Sequence, residues 1–204
     1  MGYRPTGGTL LDAGCARTIV CSRGSLTPAA VNAGGYNTMR TAVALGSNLG
    51  DRLENLRAAR RQIIALGEVQ PPILSSGIYE TEPVDCERGA SKFLNAVVEF
   101  GYEGDPGQLR EQIVRIEESL GRRCDHQKNA SRTIDIDLLY CGDRQIDNER
   151  LQLPHPRMHL RKFVLQPLAD IRPELILPNQ RKTVADLLVE LRETSDVGRF
   201  IDDW

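Results

Sequence analysis

The stretch from Arg132 to Leu139, Arg-Thr-Ile-Asp-Ile-Asp-Leu-Leu, constrains this chain more than any other. Ile134, Ile136 and Leu138 alternate with Asp135 and Asp137. That is the period of a strand with one apolar face, and it predicts a strand over the whole segment. Both carboxylates then leave the other face, with Cα atoms roughly 7 Å apart. Two like charges at that spacing repel, and in a cleft shielded from water they require cations. Hard divalent ions such as Mg²⁺ take carboxylate oxygens, usually one or two together with the phosphates of a substrate. The segment therefore fits a metal–phosphate site. It also fits a half-buried strand with a solvated acidic face, and the motif alone does not choose between them.

The rest of the chain narrows the field. Its 204 residues are expected to form one domain with ample material for a core. The net charge of −2 removes the broad basic field that a nucleic-acid partner requires. No apolar run is long enough to span a bilayer, so no membrane partner is expected. The five cysteines, Cys15, Cys21, Cys86, Cys124 and Cys141, are scattered. None forms a C-x-x-C pair, and the three histidines complete no zinc spacing. Reduced thiols in a cytoplasmic protein, acting as a monomer, are the expectation.

Residues 1–38 differ from the remainder of the chain. They are rich in Gly, Ala, Ser and Thr, and hold Asp12 as their one acid against Arg4, Arg17 and Arg23. Without sustained periodicity they read as a disordered N-terminal extension, or as the product of a start codon placed too early, with Met39 directly before the first strand. Residues 39–204 read as the single folded domain. Thr41 to Leu45 is a strand, and Gly46 to Asp51 a tight turn into a helix that runs to about Leu66. A second strand covers about Ile73 to Glu80, a polar loop Val84 to Ser91, and a third strand Phe93 to Tyr102. Asp105-Pro106 opens a helix that buries Leu109, Ile113, Ile116 and Leu120. The acidic strand comes after a charged loop, Arg122 to Ser131. Further helices are expected near Arg161 to Ile171 and behind Thr183-Val184-Ala185-Asp186, which resembles a capping box. Strand, helix, strand, strand, helix, strand is the split βαβ pattern. The expected fold class is α+β, a ferredoxin-like α/β sandwich: a central antiparallel sheet with helices, and a C-terminal helical extension.

Arg122, Arg123, Lys128 and Arg132 precede the two aspartates. Guanidinium groups match phosphate oxygens with paired hydrogen bonds. A basic loop leading into an acidic strand is what a Mg²⁺–nucleotide needs, although most charge runs are solvated faces. In a strict pleat Arg132 faces away from Asp135, so it reaches that carboxylate only from the very start of the strand. The Gly46–Asp51 turn lacks both Gly-Lys-Ser/Thr and G-x-G-x-x-G, and reads as structural. Pro154-His155-Pro156 fixes a histidine in an extended segment and can aim its imidazole at a phosphate. Phe93 and Phe163 read first as core, although two aromatic faces can also sandwich a flat heterocycle.

Taken in order, these pieces resemble the 6-hydroxymethyl-7,8-dihydropterin pyrophosphokinase family of folate biosynthesis. The resemblance rests on Ala44 to Asp51, Ser76 to Pro83, Phe93-Leu94-Asn95-Ala96, Gly121-Arg122, Arg132 to Leu139, and Leu153 to Met158 with Phe163 to Leu168. It covers about Arg40 to Pro178. It implies transfer of pyrophosphate from ATP to the hydroxymethyl group of the pterin, with two Mg²⁺ ions held by Asp135 and Asp137. Arg122 and Arg132 are implied to bind phosphate oxygens and act in catalysis. His155 and Arg161 are implied to contact the nucleotide phosphates, and Leu138 to line the adenine pocket. Asn95 and the Thr81, Pro83 and Val84 backbone are implied to read the pterin edge, with Phe93 and Phe163 stacked on its two faces. The chain departs from the family pattern where many members carry Trp-Gly-Pro before the Arg-Thr motif: here the residues are Asn129-Ala130-Ser131. Two alternatives remain: a degenerate member that binds ATP or pterin without turnover, and a non-catalytic ligand-sensing or RNA-binding module of the same fold. An RNA-binding sheet would need exposed aromatics and a basic face where this chain places acids.

Overall fold

In the computed structural model, residues 38–83, 89–122, 131–191 and 196–204 are described. The expected extension, residues 1–38, lies outside them except for Thr38, whose hydroxyl donates to Glu103 Oε1 at 2.9 Å.

Strands β1 (Met39–Ser47), β2 (Val69–Ser75), β3 (Ile78–Thr81), β4 (Phe93–Tyr102), β5 (Asp135–Cys141) and β8 (Val197–Ile201) form one antiparallel sheet among the described residues. Its order is β5-β1-β4-β3-β8, with β2 also paired to β4. Two short strands, β6 (Ile146–Asp147) and β7 (Gln152–Leu153), make a separate hairpin. Helices α1 (Arg52–Ile64) and α2 (Pro106–Ser119) pack on one face of the large sheet. On the other face lie α3 (Lys162–Ile171) and α4 (Val184–Glu190). With β2 and β3 counted as one broken strand, the order is that of the ferredoxin-like sandwich.

Local chemistry explains the helix starts. Asp51 accepts the Glu54 amide at 3.1 Å, and Asp105 accepts those of Gly107 and Gln108. Each satisfies amides that a first turn leaves without partners. Pro106 comes next, in the first helical position, where a missing N–H costs nothing. The Thr183–Asp186 capping box forms as expected. Between the sheet and α1/α2 lies an apolar core that includes Val43, Leu45, Leu56, Ile63, Phe100, Ile113, Ile134 and Ile136. A second cluster, around Val97, Leu139, Val164, Leu165 and Leu168, seats α3 on the opposite face.

Three expectations need correction. The strand expected over Ile73 to Glu80 is two strands, because the chain kinks at Ser76-Gly77. Ser76 fills the gap: its hydroxyl accepts the Val97 amide at 2.9 Å and its own amide donates to Val97 O at 3.0 Å. The acidic strand begins at Asp135, not Arg132, and runs on to Cys141. The C-terminal extension is not wholly helical, since β8 pairs with β3 and covers its edge. Trp204 then donates its indole N–H to Ser76 O at 2.8 Å, under the Arg60 guanidinium. The alternation in β8 is weak, and one-sided pairing at a sheet edge gives little sequence signal.

Candidate active site

Register places the candidate groups on one face. Gly46 lies opposite Asn95 on β4 and opposite Asp135 on β5, and Ala44 lies opposite Val97 and Asp137. Residues paired across strands share a face, so Asn95, Asp135 and Asp137 all point away from α1 and α2. Glycine at position 46 keeps this floor open: a Cβ there would lie 3.2 Å from Asn95 Oδ1, 3.8 Å from Phe93 and 4.0 Å from the Asp135 Cβ.

The two carboxylates are ringed by cations. Asp135 takes Arg122 Nη1 on Oδ1 and Arg132 Nη1 on Oδ2, both at 2.8 Å. Asp137 has Arg161 Nη1 at 3.5 Å and His155 Nε2 at 4.0 Å from Oδ2. The Asp137 side chain is 39% exposed. Its pKa is raised, first by its low-dielectric surroundings and next by the charge of Asp135; His155 and Arg161 oppose this. The His155 pKa is lowered by burial first, with Asp137 pulling the other way. Nδ1 of His155 accepts the Arg157 amide at 3.2 Å. In a neutral imidazole that leaves the proton on Nε2, the nitrogen turned toward Asp137.

Arg132 reaches Asp135 because it precedes the strand. Asn48, which is 2% exposed, fixes it there. Asn48 Oδ1 accepts the Arg132 amide at 2.7 Å, the Asn48 amide donates to Arg132 O at 3.2 Å, and Nδ2 donates to Ser131 Oγ at 3.2 Å. The Gly46–Asp51 turn thus does more than join β1 to α1, since it sets the arginine beside the acidic pair. The sequence alone does not reveal this role. The signal available is a short polar side chain in a turn, where side chain-to-backbone bonds are common.

The expected pterin-reading residues also converge. Asn95 Nδ2 donates to Thr81 Oγ1 at 2.8 Å, and both are buried. Phe93 opens β4 on the same face. Phe163 stands in the first turn of α3, with the Arg161 guanidinium 5.4 Å from its ring centre. Pro83 is partly buried just beyond β3, while Val84, Arg123 and Lys128 lie outside the described residues. The Leu138 side chain does not face this site: it is 4% exposed and sits in the α1/α2 core. Strand alternation requires that, because Leu138 is one residue from Asp137. A shallow recess of about 390 Å³ opens between the turn at Leu49 and Glu80, Ser91 and Lys92; neither aspartate nor either phenylalanine lines it.

A second residue that the sequence does not reveal is Glu117, on α2. It is 3% exposed. Its Oε1 accepts the amide of Ile136 at 2.7 Å and pairs with Arg122. Burial raises its pKa, and the Ile136 amide and Arg122 oppose the shift. In the sequence the signal is its position: Glu117 stands four residues after Ile113 and three before Leu120, on the apolar stripe of α2, so the helical period places a glutamate among core residues.

Comparison with known proteins agrees with the geometry. Residues 42–173 match the family model described as 7,8-dihydro-6-hydroxymethylpterin-pyrophosphokinase. A 2-amino-4-hydroxy-6-hydroxymethyldihydropteridine pyrophosphokinase of Haemophilus influenzae is 37% identical over 139 residues, covering 68% of this chain and 85% of that protein. A Bacillus subtilis protein of the same name is 43% identical over 129 residues, covering 63% of this chain and 75% of its own length. Among solved structures, a Plasmodium falciparum HPPK-DHPS crystal structure with pterin and p-hydroxybenzoate superimposes with a TM-score of 0.58 at 17% identity. That match covers 78% of this chain and 44% of the larger protein, and at such identity it speaks to the fold.

Proposed function

This chain belongs to the 7,8-dihydro-6-hydroxymethylpterin pyrophosphokinase family, and we propose that its acidic pair and the surrounding cations are the site of pyrophosphoryl transfer. The enzyme transfers pyrophosphate from ATP to the hydroxymethyl group of 6-hydroxymethyl-7,8-dihydropterin, a step of folate biosynthesis. The observation that carries the site assignment is the pairing of Asp135 and Asp137 on one sheet face within reach of Arg122, Arg132, Arg161 and His155.

The donor set fits magnesium. Both carboxylates are hard oxygen donors on one face, and the raised Asp137 pKa reflects a negative charge that burial leaves poorly compensated. Asp135 and Asp137 would hold two Mg²⁺ ions, which when bound supply charge neutralisation on the ATP phosphates. The protein's own groups do the rest. Arg122 and Arg132 leave Asp135 for phosphate oxygens as the nucleotide enters. His155 donates Nε2–H and Arg161 its guanidinium to the outer phosphates. Leu138 contributes through its backbone: two residues on from Ile136, its N–H and C=O face the free edge of β5 and can meet the adenine. Thr81 and Asn95, with the backbone of Pro83 and Val84, read the pterin edge, and Phe93 and Phe163 stack on its faces. The pterin hydroxymethyl oxygen attacks the β-phosphorus in line and gives up its proton to water. The bond from that phosphorus to the bridging oxygen breaks, and AMP leaves with the oxygen. Such a transfer depends on positioning and charge more than on covalent help.

Action as a monomer is part of this proposal, with the named groups lying on adjoining strands and helices of one sheet-based fold. Among the described residues no helix is long and apolar enough to cross a membrane. Scattered cysteines, with Cys141 a buried free thiol, support a cytoplasmic setting. The deciding experiment measures AMP formed from Mg-ATP with and without 6-hydroxymethyl-7,8-dihydropterin. Pterin-dependent AMP without ADP is the expected result. Binding of either substrate without AMP would overturn the assignment in favour of a binding-only member.

A further inference from the structure

Among the described residues β5 is an edge strand, paired with β1 on one side only. Antiparallel pairing leaves every second residue of such a strand with its N–H and C=O turned outward. Ile136, between the two aspartates, is one of these, and its outward N–H is satisfied by the Glu117 carboxylate. A carboxylate this buried is costly without a cation. Arg122 provides it, and the same Nη1 nitrogen also reaches Asp135. Arg110, seven residues before Glu117 and on the same face of α2, also acts on this carboxylate. Glu117 thus touches the two things that set the geometry of the acidic pair: the backbone between its members and the arginine beside it.

We infer that Glu117 is a positioning residue for pyrophosphoryl transfer, holding Arg122 at the rim of the acidic pair. The inference rests on Arg122, Asp135 and Asp137 forming the transfer site. Among the described residues Arg122 pairs with two anions, Glu117 and Asp135. Metal binding engages one of them, Asp135. Glu117 is then the anion that keeps the guanidinium from swinging away. A donor fixed before the reaction stabilises charge developing in the transition state more than a mobile one does. Loss of the tether is therefore a loss of rate more than of nucleotide affinity.

Glu117→Gln separates this role from simple capping of the strand edge. Glutamine keeps the oxygen that accepts the Ile136 amide and removes the charge that holds Arg122. The expected result is a fall in kcat of roughly 10- to 100-fold. The KM for ATP stays within about threefold, and the melting temperature of the ligand-free protein within a few degrees. In an Arg122→Ala background the same substitution should add less than about threefold, because the tethered group is gone. A wild-type kcat in Glu117→Gln overturns the inference, and so does a loss that multiplies in full with that of Arg122→Ala. Should Glu117→Gln not fold, Glu117→Asp carries the same test. It keeps the charge but withdraws it by one methylene, and its kcat loss should likewise vanish in the Arg122→Ala background. Wild-type protein that forms no pterin-dependent AMP would overturn the reading of the site itself. An active wild type, slowed by Arg122→Ala but not by Glu117→Gln, overturns this inference alone.

Discussion

One face of the sheet carries two clusters of acid and base, one toward each end of β4, and they are built differently. Toward the Tyr102 end, Glu99 is 1% exposed and fully engaged. Arg40 donates at 2.6 Å, Arg172 grips both carboxylate oxygens at 2.7 to 3.1 Å, and the Tyr140 hydroxyl donates at 2.5 Å. Toward the Phe93 end, Asp137 is far more open, and the Arg161 guanidinium stands 3.5 Å away from it. A network whose donors and acceptors answer one another has nothing left for a ligand, and its effect is to fix α3, through Arg172, to the sheet. A cluster with charge in excess of its contacts is suited to bind what comes from outside. The same strands and the same residue types thus give a clamp at one end and a site at the other.

Asp137→Ala should produce the largest effect. Turnover is expected to fall by on the order of 1000-fold, the scale of losing a principal electrostatic contact in the transition state. The melting temperature of the ligand-free protein should not fall, because the charged form of Asp137 is disfavoured in the fold. Rapid-quench or coupled measurement of AMP, with a thermal melt, checks both halves. Mg²⁺-dependent turnover near the wild-type rate would remove the metal assignment. Glu99→Leu should do the reverse. It leaves two arginines and a tyrosine without their acceptor, and removing one partner of a buried pair costs about 3 kcal/mol or somewhat more. Urea unfolding should record that loss, while kcat per folded molecule changes by less than about twofold. A variant that keeps its stability and loses its activity would show that the two ends are not distinct in kind.

Tyr140→Phe tests the clamp more finely. The hydroxyl donates to an ionisable carboxylate in a buried setting, so its removal should cost about 1.5 to 2 kcal/mol, again read from the urea midpoint. Tyr140 reaches Glu99 only because β5 carries an irregularity. Ala42 pairs with Tyr140 but Val43 pairs with Leu138, so Leu139 is an extra residue. Without it Tyr140 would share the α1/α2 face with Leu138. No change in stability would mean the bulge serves another purpose than aiming this hydroxyl.

The open end is more legible in the sequence than the closed one, for a physical reason. Asp135 and Asp137 stand in strict alternation with isoleucine and leucine, and that period states which face they share. Glu99 stands in an equally clear strand, but its partners Arg40 and Arg172 come from 59 and 73 residues away. No local pattern couples them. The same holds for the bond from the Ile136 amide to Glu117, which depends on α2 meeting the edge of β5, and for Asn48, whose partner Arg132 is 84 residues on. The bulge in β5 and the break at Ser76-Gly77 are hidden for a related cause: both are set by register against a neighbouring strand. The helix starts are legible because a cap is satisfied within three residues.

Gly46→Ala should give the smallest effect and sharpen the division within the open end. Its new Cβ would stand 3.2 Å from Asn95 Oδ1, closer than a comfortable contact, and 4.0 Å from the Asp135 Cβ, which is ordinary. The Asn95 amide must therefore yield by a few tenths of an ångström, while Asp135 need not move. Asn95 is held through Nδ2 by Thr81, so its rotation also disturbs that bond. The expected result is a rise in the pterin KM of roughly threefold, equivalent to about 0.7 kcal/mol. The ATP KM and the Mg²⁺ dependence should be unchanged. The opposite pattern, with ATP weakened and pterin untouched, would mean that the floor beside Gly46 belongs to the nucleotide. Asn95 and Phe93 would then lose their assignment to the pterin, and the boundary between the two substrates would have to move from β1 toward β3.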